Sequence, residues 1–414
     1  MNKSLFMVTL GVLTSFLLVA QETKQEDTAT SVFEAARKSR LSVNLRFGYE
    51  YSTLDNTLSP GQNLSLRTRI GFETAKYQDT KLFVQSQLVN NLIEEHTFTG
   101  GGDVSRDGIG DVDGMRIHQA YLENTSLHKT LVRAGRQEII LDDARLIGNI
   151  GWRQFAQSFD GALLTNTCVD NVVLSLAWVD SINTINNTTV DLKNLGIINA
   201  KYSSDLINLS LFSYLLDAKT GNRDSITYGT RADGNVGLFD YDITLAQQED
   251  FANGNGHNGY MTNYYGGGNV GQFHIGAGYS RISGARGTNG AFDTLFSTAH
   301  KFNGWADQFL ATNGGGLTAG LQDSYIDVTT KVMDTVVLLR YHSFRTTEDG
   351  PGATHSGDYG DELDLMLKRS FKIADSNSFD LIIQFALYNE TNQNGGTNPT
   401  ADEFLTSIRM QYTF

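Results

Sequence analysis

From Leu41 the chain alternates with a period of two: Leu41, Val43, Leu45, Phe47, Tyr49 and Tyr51 are apolar or aromatic, and Ser42, Asn44, Arg46, Gly48 and Glu50 stand between them. Successive side chains of a strand point to opposite faces, so this stretch predicts a strand with one greasy and one polar side. The rhythm returns at Leu64, Leu66, Thr68, Ile70 and Phe72 against Ser65, Arg67, Arg69, Gly71 and Glu73. It recurs at Leu363, Leu365 and Leu367 against Glu362, Asp364 and Lys368, and at Phe379, Leu381, Ile383, Phe385 and Leu387 against Asp380, Gln384 and Glu390. The last such segment sets Phe404, Ile408, Met410, Tyr412 and Phe414 against Ser407, Arg409, Gln411 and Thr413.

Alternation of this kind serves a soluble sandwich as well as a membrane barrel, and the connections decide between them. Short connections are expected near residues 77–80, 127–130, 167–171, 203–205, 232–237, 268–271, 331–334 and 371–377. Long polar ones intervene near 52–61, 91–114, 139–157, 181–193, 252–259, 283–319, 346–357 and 391–401. Outer-membrane barrels keep this strict alternation, with short periplasmic turns and long external loops. The segments between number about eighteen, each of roughly ten residues, the length a tilted membrane strand needs, with sixteen as the alternative count. The reading is an all-β, antiparallel, up-and-down transmembrane barrel over residues 41–414, wide enough for an aqueous lumen. An Arg or Lys facing lipid costs about 2–4 kcal/mol at the bilayer midplane, so several together would exceed a folding stability of roughly 5–15 kcal/mol. Arg46, Arg67, Arg69, Arg340 and Arg409 are accordingly expected to face water.

Composition agrees. A chain of 414 residues has room for several soluble domains, yet its composition does not shift at any linker. Its 42 glycines and only 3 prolines supply turns and leave little to interrupt a sheet, which favours β over α. Lys3, the apolar residues 5–19, small Ala20 and the polar run Gln21, Glu22, Thr23 and Lys24 have the layout of a signal peptide over residues 1–20. A membrane anchor is the weaker reading, because the apolar core is short and lacks a basic stop-transfer flank. No later apolar run approaches helix-spanning length, so insertion must use strands. Residues 21–40 are expected as a short periplasmic segment, helical over 31–40 with Val32, Phe33 and Ala36 on one side. Cys168 is the only cysteine, which excludes an intramolecular disulfide and a thiolate metal cluster. The formal charge of -14 argues against nucleic acid as a partner. It does not exclude anionic cargo, because a pore lining can differ in sign from the loops.

The stretch Arg133-Ala134-Gly135-Arg136-Gln137-Glu138, followed by Leu141-Asp142-Asp143-Ala144-Arg145-Leu146-Ile147-Gly148-Asn149, Gly151-Trp152-Arg153-Gln154 and Ser158-Phe159-Asp160-Gly161, resembles the signature of alginate-export family porins. Phe292-Asp293-Thr294-Leu295-Phe296, running into His300-Lys301-Phe302-Asn303-Gly304 and later Gly320-Leu321-Gln322-Asp323, is a second match. The resemblance extends over nearly the whole mature chain. It implies an eighteen-stranded barrel with an electropositive constriction that passes uronate polymers or other anions.

Read physically, residues 139–157 carry Arg145, Arg153, Asp142 and Asp143 among bulky Leu146, Ile147 and Trp152. A charged loop with apolar anchors can fold inward and narrow the lumen, its arginines offering forked donors to carboxylates. The alternative is that Arg145 and Arg153 pair with Asp142, Asp143 or Glu138 and pin the loop. Residues 292–320 predict another large loop, where His300 and Lys301 either add positive potential or are solvated loop charges. Arg46, Arg67, Arg69, Arg116, Arg136, Arg340, Lys368 and Arg409 are candidates to line the lumen beside Glu50, Glu73, Glu362 and Asp364, a mixed lining with modest selectivity. Asp103, Asp107, Asp111 and Asp113 lie in a glycine-rich loop and invite a calcium reading. Their spacing misses the calcium-loop pattern, so a solvated loop with at most weak calcium binding is favoured, and no other cofactor is expected.

Rival functions have less support. The histidines, among them His96, His118, His274 and His342, are scattered, and His342 and Ser343 would point to opposite faces of a strand, so no catalytic constellation supports a barrel enzyme. A non-conducting adhesin or structural barrel is the other rival, but the segment before Leu41 is too small for a plug. Expected partners are outer-membrane lipid and lipopolysaccharide, small anionic solutes or polysaccharide, and the barrel-assembly machinery, for which Phe414 resembles the terminal signal.

Overall fold

The computed structural model describes residues 28–220, 223–252, 254, 256–285, 290–310, 317, 319–347, 357–374, 377–391 and 401–413. The expected signal peptide and Phe414 lie outside the described residues. Eighteen antiparallel strands form one sheet. They are β1 (Arg40–Leu54), β2 (Gly61–Glu73), β3 (Thr80–Glu95), β4 (Gly114–Asn124), β5 (Thr130–Gln137) and β6 (Ser158–Asn166). Next come β7 (Val172–Asn183), β8 (Thr189–Ser203), β9 (Asn208–Ala218), β10 (Ser225–Val236), β11 (Phe239–Asp250) and β12 (Asn258–Val270). The last six are β13 (Phe273–Ile282), β14 (Leu321–Val332), β15 (Thr335–Arg345), β16 (Asp358–Ala374), β17 (Asn377–Glu390) and β18 (Glu403–Thr413). Each strand pairs with its neighbours in sequence, and β1 pairs with β18 from Asn44 opposite Thr413 to Leu54 opposite Glu403, so the sheet closes without a free edge.

The burial pattern is inverted relative to a soluble protein. Polar Glu50, Ser52, Asn63, Ser65, Arg67, Thr227, Asp323 and Ser407 are buried on the inner face, whereas Phe47, Ile70, Trp178, Ile198, Leu211, Ile326 and Leu363 are exposed on the outer one. An apolar outer band around a polar interior suits lipid outside and water inside. Among the described residues no helix is long and apolar enough to cross a membrane. At 15 and 17 residues, β1 and β16 exceed the roughly ten that a tilted span requires and must project beyond the bilayer.

The short and long connections alternate as the sequence predicts, with two corrections. The connection from Ala218, the end of β9, to Ser225, the start of β10, was not among the expected ones. Residues 181–193 do not form a long loop, because β7 runs to Asn183 and β8 starts at Thr189. Pairing slips between Asp191 and Leu195, so the polar residues that interrupt the alternation are absorbed as a bulge within the ladder.

Ahead of the barrel, residues Val32–Arg37 form a helix capped by Ser31, whose hydroxyl accepts from the Glu34 N–H. The Glu34 carboxylate reaches back to the Thr30 N–H at 2.7 Å. Val32 and Phe33 are 70% and 80% exposed, so the predicted apolar side is not the packed one. The helix packs instead through Ala35, whose carbonyl accepts from the Ala75 N–H in the turn between β2 and β3. This places it at the short-turn end of the barrel.

Candidate functional site

Two long loops fold into the barrel. Residues 139–157 bury Ile139, Leu146, Ile147 and Phe155, and residues 290–310 bury Phe292, Phe296, Trp305 and Phe309. Most of these side chains share one core with the inward wall residues Leu195, Tyr214, Phe344 and Tyr388. The loops also join each other. Gly148 N–H donates to the Phe296 carbonyl and Thr298 N–H to the Ala144 carbonyl, each at 3.0 Å. Trp152 stacks on His300 with ring centroids 3.7 Å apart. Burial of the apolar anchors holds the two loops against the inner wall of the barrel.

Arg153 ties the assembly together. Its Nη1 lies 2.9 Å from Glu50 on β1 and its Nη2 2.8 Å from Asp307 on the other loop, with Arg153 and Glu50 buried and Asp307 largely so. Burial disfavours the charge on Arg153, but Glu50 and Asp307 outweigh it and hold the guanidinium protonated beyond its ordinary range. Burial likewise works against Asp307, yet His300 at 2.6 Å and Arg153 keep its carboxyl below the usual value. Neither Asp142, Asp143 nor Glu138 is the partner of Arg153, although they were the acids its sequence neighbourhood offered. Arg145 does meet Asp143, at 3.4 Å, and its guanidinium lies over Phe302. Asp142 accepts from Asn199 on β8 and Ser210 on β9, fastening the loop to the wall. Lys301 donates to the Asp143 carbonyl at 3.0 Å, and burial pushes its ammonium below its ordinary value despite the opposing Asp143 charge.

The inner face of β18, β1, β2 and β4 carries a band of arginines. Arg409 faces Gly48, Arg46 faces Arg67, and Arg69 and Arg116 flank Gln87. Their partners are mostly neutral. Arg46 donates to Gln411 and the Gly151 carbonyl at 2.9 Å, Arg67 to Asn44 at 2.7 Å, and Arg116 to the Thr184 and Ala156 carbonyls. Arg409 lies over the Trp152 ring. Glu138, 3.5 Å from Arg69 and also bound to His118, is the carboxylate that meets the band directly. Arg67 Nε and Nη1, Arg69 Nη2 and Arg116 Nε find no hydrogen-bond acceptor among the described residues. The band therefore keeps a net positive charge.

Elsewhere on the ring the cations are matched by acids. Arg231 binds Asp242 and Asp233 at 2.5 Å, Arg340 binds Asp327 at 3.1 Å, and His274 meets Asp240 at 2.7 Å. Lys368 shares the inner face of β16 with Glu362 and Asp364 and is exposed toward the short-turn end. The bore is thus polarised, basic over β18 to β4 and acidic over β10 to β16.

Arg136 is a correction to the expected lining. It pairs opposite Ala120 and Asp160, in step with exposed Leu122 and Trp178, so it lies on the outer face. There it makes a forked bond to Asp160 at 2.7 and 2.9 Å, beside Ser181 and Asn183. The cost of a lipid-facing charge falls to about 0–1 kcal/mol near the interface, and β5 ends one residue later. The acids of the glycine-rich loop diverge as well. Asp103 binds Ser105 and Arg106, Asp107 takes the Leu54 N–H and Asn56, Asp111 takes the Gln154 N–H, and Asp113 is exposed. Among the described residues no three acids, histidines or cysteines are grouped to hold a metal. Asp307 was not singled out from sequence, since its role depends on partners distant in the chain.

A family model described as alginate export matches residues 43–399. Comparison with curated proteins finds no match. Among solved structures, OccAB1 of Acinetobacter baumannii is similar with a TM-score of 0.70 at 14% identity, over 95% of this chain and 99% of that one. OccK11 (OpdR) of Pseudomonas aeruginosa gives 0.68 at 14% identity over 94% and 98%. OpdK of Pseudomonas aeruginosa, solved with vanillate, gives 0.66 at 14% identity over 91% and 99%. At such identities the likeness speaks for the fold, a closed antiparallel barrel of eighteen strands. The family match covers most of the chain, and with that barrel it makes this protein a member of the alginate-export family of outer-membrane porins.

Proposed function

We propose that the chain is a passive channel for small hydrophilic solutes that prefers anions, with carboxylates and uronate-type sugars as its cargo class, and that it has no catalytic role. The observation that carries this reading is the arginine band from Arg409 through Arg46, Arg67 and Arg69 to Arg116, whose protein partners are mostly neutral. Guanidiniums in a confined, poorly solvated bore attract carboxylates more strongly than they would in bulk water, and their planar fork matches a carboxylate. The constriction loops supply the narrowing that a barrel this wide needs for discrimination. The vanillate found with one structural relative is itself a carboxylate. His342 is paired with Asp323, and Ser343 points to the other face of β15, so the two form no catalytic dyad.

Purified protein reconstituted in a planar bilayer under a salt gradient will give a reversal potential on the anion-selective side. Uronates and dicarboxylates will reduce the current more than neutral sugars of similar size. A heat-modifiable barrel that conducts with cation preference would remove this reading.

A further inference from the structure

Two tyrosines fill a glycine-rich stretch of the wall from β12 to β14. Tyr265 on β12, Gly278 on β13 and Tyr325 on β14 lie directly opposite one another. The chain neighbours Tyr264 and Ile326 are exposed on the outer face, so Tyr265 and Tyr325 point into the bore, where both stay partly exposed. Each ring lies down on a glycine. A Cβ on Gly276 would run into the Tyr265 ring, and one on Gly278 into the Tyr325 ring. The ring planes are 19° apart and the ring centres 6.2 Å. That separation matches the step of about 6.6 Å between every second residue of a strand, here Gly276 and Gly278, so the rings lie side by side along β13 and not face to face. They form a flat apolar pavement with polar Asn263, Ser280 and Asp323 at one end and Asp327 at the other.

Planar polar groups frame this surface. Tyr265 donates its hydroxyl to Asp327 at 3.3 Å, Arg340 donates to the same carboxylate at 3.1 Å, and His274, against Gly267, meets Asp240 at 2.7 Å. Asp242, opposite Tyr265, holds Arg231, which reaches Asp143 of the first loop at 3.8 Å. His342, opposite Tyr325, stands beside Glu362, which accepts the Trp305 and Ala306 N–H groups of the second loop. The pavement therefore lies between the attachments of both loops. Arg231, Arg340 and His274 are each matched by an acid, so charge alone draws no anion to this wall. Arg340 stands over Tyr325, 5.0 Å from its centre, and among the described residues no cation stands over Tyr265.

We infer that Tyr265 and Tyr325 form a stacking site for pyranose rings, so that the channel recognises uronates by their sugar ring as well as by their carboxylate. One face of a pyranose carries C–H groups that pack on an aromatic plane, while its hydroxyls project sideways, where the carboxylates of Asp327 and Asp240 accept. An open-chain acid or polyol has the same hydroxyls and no such face. Tyrosines that served only to cover their glycines would not distinguish the two.

The site rests on the channel reading, and its test separates them. In single-channel recordings of the full-length protein, glucuronate will interrupt the current roughly ten times as long as gluconate, which has the same charge and carbon count without the ring. Glucose will outlast sorbitol in the same sense. Tyr265→Leu still covers its glycine but offers no flat face, so glucuronate will leave as quickly as gluconate, with the reversal potential in salt unchanged. Tyr265→Phe will keep the preference. If Tyr265→Leu does not assemble, Tyr325→Leu takes its place. Equal interruptions by glucuronate and gluconate in the wild type, or an undiminished preference in the leucine variant, overturn the site and leave the anion preference standing. Cation selectivity with the ring preference intact overturns the anion reading alone. A protein that does not conduct overturns both.

Discussion

Arg153→Met will loosen the constriction and lower the thermal stability of the folded barrel. Arg153 is buried between Glu50 and Asp307, and removing it leaves buried Glu50 without its cation and Asp307 with His300 alone. Breaking one side of a buried ion pair typically costs about 3–5 kcal/mol. The loss falls on the joint between both loops and the wall, so the loops will separate while the strand ladder remains. Conductance will rise and become noisier, and the heat-modifiable form will unfold at lower temperature. Arg153→Lys will be intermediate, since it keeps the charge but not the fork that reaches both acids. By contrast, Arg145→Met removes a longer contact to Asp143 and a stacking on Phe302, for which about 0.5–2 kcal/mol is appropriate. Equal conductance and melting in wild type and Arg153→Met would place the joint elsewhere.

Reversing the arginine band will have the largest effect on selectivity. In the double variant Arg67→Glu/Arg69→Glu, new carboxylates lie among Arg46, Arg116 and Arg409, where they can pair, so the fold has partners for them. The reversal potential will move toward cation selectivity. The shift will shrink as salt is raised, because the screening length falls from about 10 Å at 0.1 M to about 3 Å at 1 M. The control is Arg136→Gln combined with Asp160→Asn, which removes a charge pair on the outer face and will leave selectivity unchanged. An intact Arg67→Glu/Arg69→Glu channel with wild-type selectivity would exclude the band from the permeation path.

Much of this was legible from the sequence, and the exceptions share a cause. Alternation identified the water-facing arginines on β1, β2, β15 and β18 because nothing interrupts their period of two over those stretches. Arg136 was misplaced because β5 has only the adjacent Leu131 and Val132 as large apolar residues, so its own alternation does not say which face is inward. Its pairing slips on neither side, and its face is set by register with Leu122 and Trp178 on other strands. The inward folding of residues 139–157 was visible in their apolar anchors. The partners of Arg153 were not, because Glu50 and Asp307 lie 103 and 154 residues away in the chain. Local spacing suggested Asp142 and Asp143 instead, and Asp142 turns to the wall at Asn199 and Ser210.

Closure of the sheet has a consequence for the order of folding. Asn44 on β1 donates to Thr413 on β18 across 369 residues of chain. Such a contact has the highest loop-closure entropy in the molecule, so it forms late, after the hairpins whose partners are near in sequence. Until then every intermediate has two unpaired strand edges, at β1 and at the last strand to join, and each is a template for pairing with another chain. A chain lacking β18 would retain those edges permanently and would tend to aggregate, even though nearly all of its hairpins can form.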